Sequence, residues 1–98
     1  MTKRYFIEIA YNGTKFHGWQ VQPGSISIQS SVEDVLTQLN SQEKISVVGC
    51  GRTDAGVHAK SYFFHVDLPQ VWDEQHLCFK LNRMLPPDIS AIQAMKVS

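Results

Sequence analysis

The chain opens on a strict alternation. Between Arg4 and Tyr11 the large apolar residues Tyr5, Ile7, Ile9 and Tyr11 alternate with Phe6, Glu8 and Ala10, and a period of two places the first set on one face of a β-strand. Asn12-Gly13 ends that strand, because both residues tolerate positive φ. The stretch to Gly24, which carries Trp19 and Gln20, has no clear period and reads as a long loop. From Ser27 to Asn40 the period changes. Ile28, Val32, Val35, Leu36 and Leu39 fall on one helical face, with Ser27 in position to cap it.

Two further strands are predicted over Ile45 to Cys50 and His58 to Asp67; in the second, Tyr62, Phe64 and Val66 share one face and Phe63 and His65 the other. A second helix starts at Asp73, runs through Leu77, Leu81, Met84 and Leu85, and is stopped by Pro86-Pro87. Ile89 to Val97 reads as the last strand. The order β-α-β-β-α-β is the split βαβ pattern, so the expected fold is α+β: a ferredoxin-like sandwich with two helices on one face of an antiparallel sheet. The other face is left free. The strand aromatics Tyr5, Phe6, Tyr11, Tyr62, Phe63 and Phe64 suit either stacking on nucleotide bases or packing against a further half.

Composition bounds this picture. Ninety-eight residues make one domain at most, and 43% hydrophobic with 18% charged residues is the profile of a folded chain and not a disordered one. No apolar run approaches the roughly 20 residues of a membrane span, and the start shows no leader cleavage site. Cys50 and Cys78 supply neither a disulfide framework nor a Cys-x-x-Cys metal site, so a reduced, cytoplasmic protein is expected. Nine basic side chains balance nine acidic ones, which by itself counts against a compact nucleic-acid binder.

The densest cluster of turn and functional residues is Gly49 to His58. Gly51 and Gly56 match half of a phosphate loop, but Val57-His58 stands where Lys and Ser or Thr must follow. A dinucleotide fingerprint fails too, because Asp54 occupies the third glycine position and a strand follows. What remains is one carboxylate, Asp54, on a tight turn with Arg52 beside it. One reading closes an Asx-turn and leaves Arg52 as a surface charge. The other is a nucleophilic or basic carboxylate that Arg52 keeps ionised while gripping a substrate phosphate. No metal site is expected: His58 and His65 point to opposite strand faces, and His17 and His76 lack matching partners.

Gly51-Arg52-Thr53-Asp54-Ala55-Gly56-Val57-His58-Ala59 resembles the signature of the bacterial tRNA pseudouridine synthase A family. Tyr11-Asn12-Gly13-Thr14, Phe16-His17-Gly18-Trp19-Gln20-Val21-Gln22, Ser27-Ile28-Gln29, His65 and Asn82-Arg83-Met84-Leu85-Pro86-Pro87-Asp88-Ile89 extend the resemblance in register over nearly the whole chain. Asn12 departs from the family's usual Asp, and Lys60-Ser61-Tyr62 from its usual small, aliphatic run.

The resemblance implies that residues 1–98 form the aspartate-bearing N-terminal domain of a longer enzyme. In it Asp54 is the catalytic nucleophile and Arg52 helps extrude and hold the target uridine. Gly51, Thr53, Gly56, His58, Trp19 and Gln20 are then placed at the substrate, while Lys3, Arg4, Lys15, Lys60 and Arg83 are candidates for phosphate contacts. It further implies a tRNA anticodon stem-loop as partner, a homodimer in the full-length form, and chemistry without metal or cofactor. Two rivals share the element order: a noncatalytic RNA-binding module that stacks bases on sheet aromatics, and a small oligomerisation domain. Lys60-Ser61-Tyr62-Phe63-Phe64 lacks the glycine of the first rival's signature.

Overall fold

The computed structural model describes residues 2–12, 27–50 and 59–97, with side chains from 61 onward in the last segment. Strands β1 (Lys3–Tyr11), β2 (Val47–Gly49), β3 (Ala59–Leu68) and β4 (Ile89–Lys96) form one sheet in the order β2-β3-β1-β4. Every pairing is antiparallel. Helices α1 (Ile28–Leu39) and α2 (Glu74–Met84) complete the expected α+β, ferredoxin-like arrangement.

The alternation read from β1 decides which face is covered. Tyr5, Ile7 and Ile9 are fully buried and Tyr11 nearly so. They join Tyr62, Phe64 and Val66 of β3, and Ile28, Val32, Leu36, Leu77 and Leu81 of the helices, in one core. Four of the six strand aromatics, Tyr5, Tyr11, Tyr62 and Phe64, therefore face the helices, and only Phe6 and Phe63 remain for the open face. That corrects the expectation of a sheet surface rich in aromatics. A strand of period two cannot offer all its rings to one side.

The deepest polar group in the core is satisfied by backbone. The Tyr5 hydroxyl donates to Trp72 O at 3.0 Å and accepts from Trp72 N–H at 2.6 Å, which ties the chain entering α2 to the centre of the sheet. Ser27 caps α1 as expected: its Oγ accepts from Ser30 N–H at 3.1 Å, and Ser30 Oγ accepts from Ser27 N–H at 3.2 Å. Ser41 and Gln42, with φ of 55° and 69°, turn the chain from α1 toward β2. Asp73 caps α2. Leu85, before Pro86, takes ψ of 151° and ends the helix, because a proline disfavours helical backbone in the residue before it.

The strands depart from simple alternation at β2 and β4, besides a register shift between β1 and β3 where Ile9 pairs with Tyr62 but Tyr11 with Ala59. β2 is three residues long; Ile45 is buried before it but is held by α1 and not by a strand neighbour, its N–H donating to Thr37 Oγ1 at 3.0 Å. In β4 the register shifts so that Glu8 pairs with Gln93 but Ile9 with Ala91. The extra residue, Ile92, is a bulge. Ile89, Ala91 and Ala94 then face the core, while Gln93 turns to the open face.

Both sheet edges are closed by side chains from the helices. Along β2, Glu33 Oε2 accepts from Val47 N–H at 2.9 Å and Gln29 Nε2 donates to Val47 O at 3.3 Å, with Thr37 at Ile45 completing the series. Helix positions four apart lie about 6 Å apart along the axis and alternate strand residues about 6.6 Å, so residues 29, 33 and 37 can follow a strand edge. Along β4, Asn82 clamps Ala91, its Oδ1 accepting from the N–H at 2.7 Å and its Nδ2 donating to the carbonyl at 2.9 Å. Glu74 Oε2 accepts from Lys96 N–H at 2.6 Å. Unpaired strand edges invite pairing with other chains, and here the helices occupy them.

On the open face, Val48, His65, Phe6 and Met95 form one cross-strand row, with the Phe6 and His65 rings edge-to-face at 5.8 Å. In the next row Glu8 sits between Phe63 and Gln93. Its carboxylate accepts from Ser61 Oγ at 2.6 Å and Gln93 Nε2 at 2.7 Å. These two hydrogen bonds, Ser61 first, hold the Glu8 carboxyl below its ordinary 4.5. Arg4 and Asp67 form an exposed bidentate pair, at 2.9 and 3.2 Å.

Two outcomes follow for stability. Tyr5→Phe removes the partner of both Trp72 backbone groups and is expected to cost about 1–3 kcal/mol, read as a lowered urea midpoint with unchanged slope. A carboxyl with a lowered folded pKa contributes stability above its unfolded value and loses it as pH falls through the folded one. Glu8→Gln is therefore expected to flatten the loss of stability below about pH 4.5, its ordinary value, in unfolding curves taken across the acid range.

Candidate functional site

Every residue assigned to catalysis or substrate binding lies outside the described residues: Gly51, Arg52, Thr53, Asp54, Gly56 and His58 in one segment, Trp19 and Gln20 in another. The described residues fix where these two segments are rooted. The first leaves β2 at Cys50 and rejoins at Ala59, the first residue of β3. The second leaves β1 after Asn12 and rejoins at Ser27, the cap of α1.

These roots converge on one end of the sheet. Tyr11, the last residue of β1, pairs with Ala59 on one side and with Ile89, the first residue of β4, on the other. Asn12 N–H donates to Asp88 O at 2.9 Å, and Cys50 N–H donates to Phe63 O at 2.9 Å. The turn that brings β4 to this point is closed by Ile89 N–H donating to Pro86 O at 3.0 Å. β1 thus ends, and β3 and β4 begin, at one rim, while β2 runs toward the same end of the sheet and stops short of it, its last residue Gly49 pairing with Phe64. Segments that carry chemistry on a rigid rim are the usual way a scaffold presents a site.

Beneath the rim, the Tyr62 ring meets that of Tyr11 edge-on at 6.1 Å. Burial pushes the Tyr62 phenol up to about 12, with Tyr11 and Cys50 nearby adding to the shift. Tyr62 is accordingly a neutral phenol at physiological pH, placed among the roots of both segments. Sequence reasoning counted it as a strand aromatic and as part of the departure at Lys60-Ser61-Tyr62, not as a residue of the site. No motif marks such a position; its role comes from the partners that converge on it.

The remaining candidates are dispersed. Arg4 is taken up by Asp67, and Arg83 lies on α2 with its guanidinium 5.7 Å from the centre of the Phe79 ring. Lys15 and the Lys60 side chain lie outside the described residues. His65 faces Phe6 on the open sheet face and His76 stacks between Trp72 and Phe79 on α2. Among the described residues no group of three or more His, Cys, Asp or Glu side chains can hold a metal ion, and no helix is long and apolar enough to cross a membrane. Cys50 and Cys78 are free thiols.

Taken together, the described residues form an α+β sandwich of ferredoxin-like order with both candidate segments rooted toward one end of the sheet. No family model matches it, but its similarity to curated proteins is extensive. It is 45% identical over 95 residues to tRNA pseudouridine synthase A of Bacteroides thetaiotaomicron, which covers 97% of this chain and 35% of that protein. The tRNA pseudouridine synthase A of Streptococcus thermophilus is 46% identical over 95 residues, with 97% and 38% covered. That of Parabacteroides distasonis is 44% identical over 96 residues, again with 97% and 38% covered. The chain is a sequence relative of the tRNA pseudouridine synthase A family, and it spans little more than a third of the length of the relatives it matches.

The buried phenol gives a direct check on the rim. A tyrosinate absorbance titration of the folded chain is expected to show one phenol ionising only near 12, and Tyr62→Phe is expected to remove that step.

Proposed function

We propose that this chain is the aspartate-bearing part of a cytoplasmic tRNA pseudouridine synthase that acts on uridines of the anticodon stem-loop. The observation that carries the reading is the 45% identity spread over 97% of the chain, together with the intact Gly51-Arg52-Thr53-Asp54-Ala55-Gly56 signature. Support also comes from the fold, which roots the Asp54 segment and the Trp19-Gln20 segment on one rim.

The reaction asks little of the protein beyond a positioned carboxylate. The bond from ribose C1′ to N1 breaks, the uracil turns, C5 takes over the bond and gives up its hydrogen as a proton, and N1 takes up a proton in its place. Atoms and electrons balance without redox cofactor, metal or cosubstrate. Asp54 acts as nucleophile or base at this step. A stacked uridine must first leave its helix, at a cost of a few kcal/mol, and Arg52, two residues before Asp54, fills the vacated space and holds the backbone phosphate. Gly51 and Gly56 bracket the turn that presents Asp54. Thr53, His58, Trp19 and Gln20 line the approach of the nucleotide. The rest of the cleft, and the homodimer, belong to the longer protein in which the relatives carry this part.

The rival reading, a noncatalytic module stacking bases on the sheet, finds little support in the open face. Among the described residues Phe6, Phe63 and His65 supply rings there, and Glu8, whose carboxyl Ser61 and Gln93 hold below its ordinary value, stands directly opposite Phe63 and two residues from Phe6 on β1. A fixed carboxylate at the centre of the face repels a phosphate backbone.

The experiment places this chain in a chimera, replacing the matching part of the Bacteroides thetaiotaomicron relative, and measures tritium released from tRNA labelled at uridine C5. The chimera is expected to release tritium and the 98-residue chain alone is not. Asp54→Asn in the chimera is expected to lower the rate at least about a thousandfold while tRNA binding persists. Release that survives Asp54→Asn overturns the assignment.

A further inference from the structure

The end of the sheet that roots both candidate segments is offset from the sheet's centre by two register shifts. On the β4 side, Glu8 pairs with Gln93 but Ile9 with Ala91, which leaves Ile92 extra. On the β3 side, Ile9 pairs with Tyr62 but Tyr11 with Ala59, so that Ala10 stands opposite two residues, Lys60 and Ser61. This is a second bulge. Both shifts fall between Glu8 and Tyr11 of the central strand, immediately before the rim.

The β3 bulge decides which side chain goes inward. Counted by strict alternation from the Tyr11–Ala59 pair, Ser61 would face the helices and Tyr62 the open face. The extra residue exchanges them. Ser61 is exposed and its hydroxyl donates to the Glu8 carboxylate at 2.6 Å, while Tyr62 is 8% exposed and belongs to the core. The same carboxylate accepts from Gln93, the residue after the β4 bulge, at 2.7 Å. One side chain of β1 thus straps residues at both bulges, and from the open face it holds the phase that sends Tyr62 inward.

On the inner side, Tyr62 stands between the two roots. Its ring meets the nearly buried ring of Tyr11 edge-on at 6.1 Å, and Tyr11 is the residue before Asn12, from which the Trp19-Gln20 segment departs. The next residue after Tyr62 holds the other root: Phe63 O accepts from Cys50 N–H at 2.9 Å, and Cys50 is the last described residue before the Asp54 segment. The phenol, which burial keeps neutral up to about 12, brings no charge to the rim. Bulges recur beside working sites, where they re-aim a side chain, and the side chain re-aimed here is a large ring beneath both loops.

We propose that Tyr62 is a positioning residue: its inward ring, seated against Tyr11 and joined through Phe63 to Cys50, fixes the spacing of the two roots, so that the Asp54 segment and the Trp19-Gln20 segment meet one nucleotide together. The proposal rests on the synthase reading for what this positioning serves. Tyr62 acts through the roots and takes no part in bond making. The ring is the working part, so phenylalanine preserves the function and leucine, which keeps apolar bulk without the aromatic edge, does not.

Two readouts test this. In the chimera, Tyr62→Leu is expected to lower kcat for tritium release at least about tenfold, since a misplacement of about 1 Å costs on the order of a hundredfold, while KM for tRNA stays within about twofold. Tyr62→Phe is expected to keep kcat within about twofold of the unsubstituted chimera. Rates are taken well below each variant's unfolding midpoint, so that loss of folded protein does not enter. In the 98-residue chain, amide hydrogen exchange reads the roots without activity. Tyr62→Leu is expected to speed exchange at Asn12 and Cys50, whose N–H groups close on Asp88 O and Phe63 O, at least about tenfold, and Tyr62→Phe is not. Ser61→Ala, an exposed change that leaves the ring in place, is expected to speed the same two amides by freeing the bulge. Four results overturn the proposal: kcat unchanged in Tyr62→Leu; Tyr62→Phe losing as much as Tyr62→Leu, which assigns the role to the hydroxyl; KM rising with kcat unchanged, which makes Tyr62 an RNA contact; or exchange at Asn12 and Cys50 unaffected in Tyr62→Leu. A chimera inactive before any substitution counts against the synthase reading alone, and exchange at the two roots then decides this one.

Discussion

The register of β1 is the constraint on which the rest of the molecule depends. This strand is central, paired to β3 on one side and β4 on the other, and its apolar residues Tyr5, Ile7 and Ile9 are completely buried. A slip of one residue would send all of them to the open face and bring Phe6, Glu8 and Ala10 beneath the helices. Glu8 makes that error costly, because burying a carboxylate away from Ser61 and Gln93 would leave it without its donors. The Tyr5 hydroxyl locks the same register from the other face, since it reaches both Trp72 backbone groups only when Tyr5 points inward.

The helices then do two jobs at once. Their apolar stripes cover the sheet, and their flanking polar residues close its edges: Gln29, Glu33 and Thr37 along β2, Asn82 and Glu74 along β4. A strand of three residues such as β2 has little pairing of its own, and the hydrogen bonds from α1 supply the backbone partners it would otherwise lack. The same contacts fix each helix along its strand, which sets where the rim lies and how the two candidate segments are rooted on it. Where the segment that carries Asp54 is rooted is in this sense determined far from Asp54.

The fold was largely legible because the strongly periodic elements are amphipathic in the simplest way. β1, α1 and α2 appear within a residue or so of the bounds that periodicity sets, with Ser27 and Asp73 capping as expected. What periodicity could not supply are the places where a backbone group finds a distant side chain. Nothing local distinguishes Asn82 from any exposed helical asparagine, and Ile89-Ser90-Ala91-Ile92-Gln93-Ala94 gives no local cue that one residue is extra. Read without the bulge, β4 would carry Gln93 into the core. The candidate site was legible by another route: most of its residues stand in stretches of sequence without period, so only the spacing of Gly51, Arg52, Asp54 and Gly56, and the resemblance that spacing brings, marked them.

The balance of nine basic and nine acidic side chains counts against nucleic acid only as a sum, and a sum does not say how the charges are arranged. A partner meets a face and not a total. Arg4 is neutralised by Asp67 and Glu8 stands ionised on the open sheet face, so that side of the molecule offers a polyanion nothing. At the other extreme, Asp73 and Glu74 are spent on backbone N–H groups at the start of α2, where the positive end of the helix dipole also favours them. Lys80 and Arg83 stand in the second half of the same helix, Arg83 over the Phe79 ring. A zero sum over the chain therefore leaves open how much charge of either sign any one face presents.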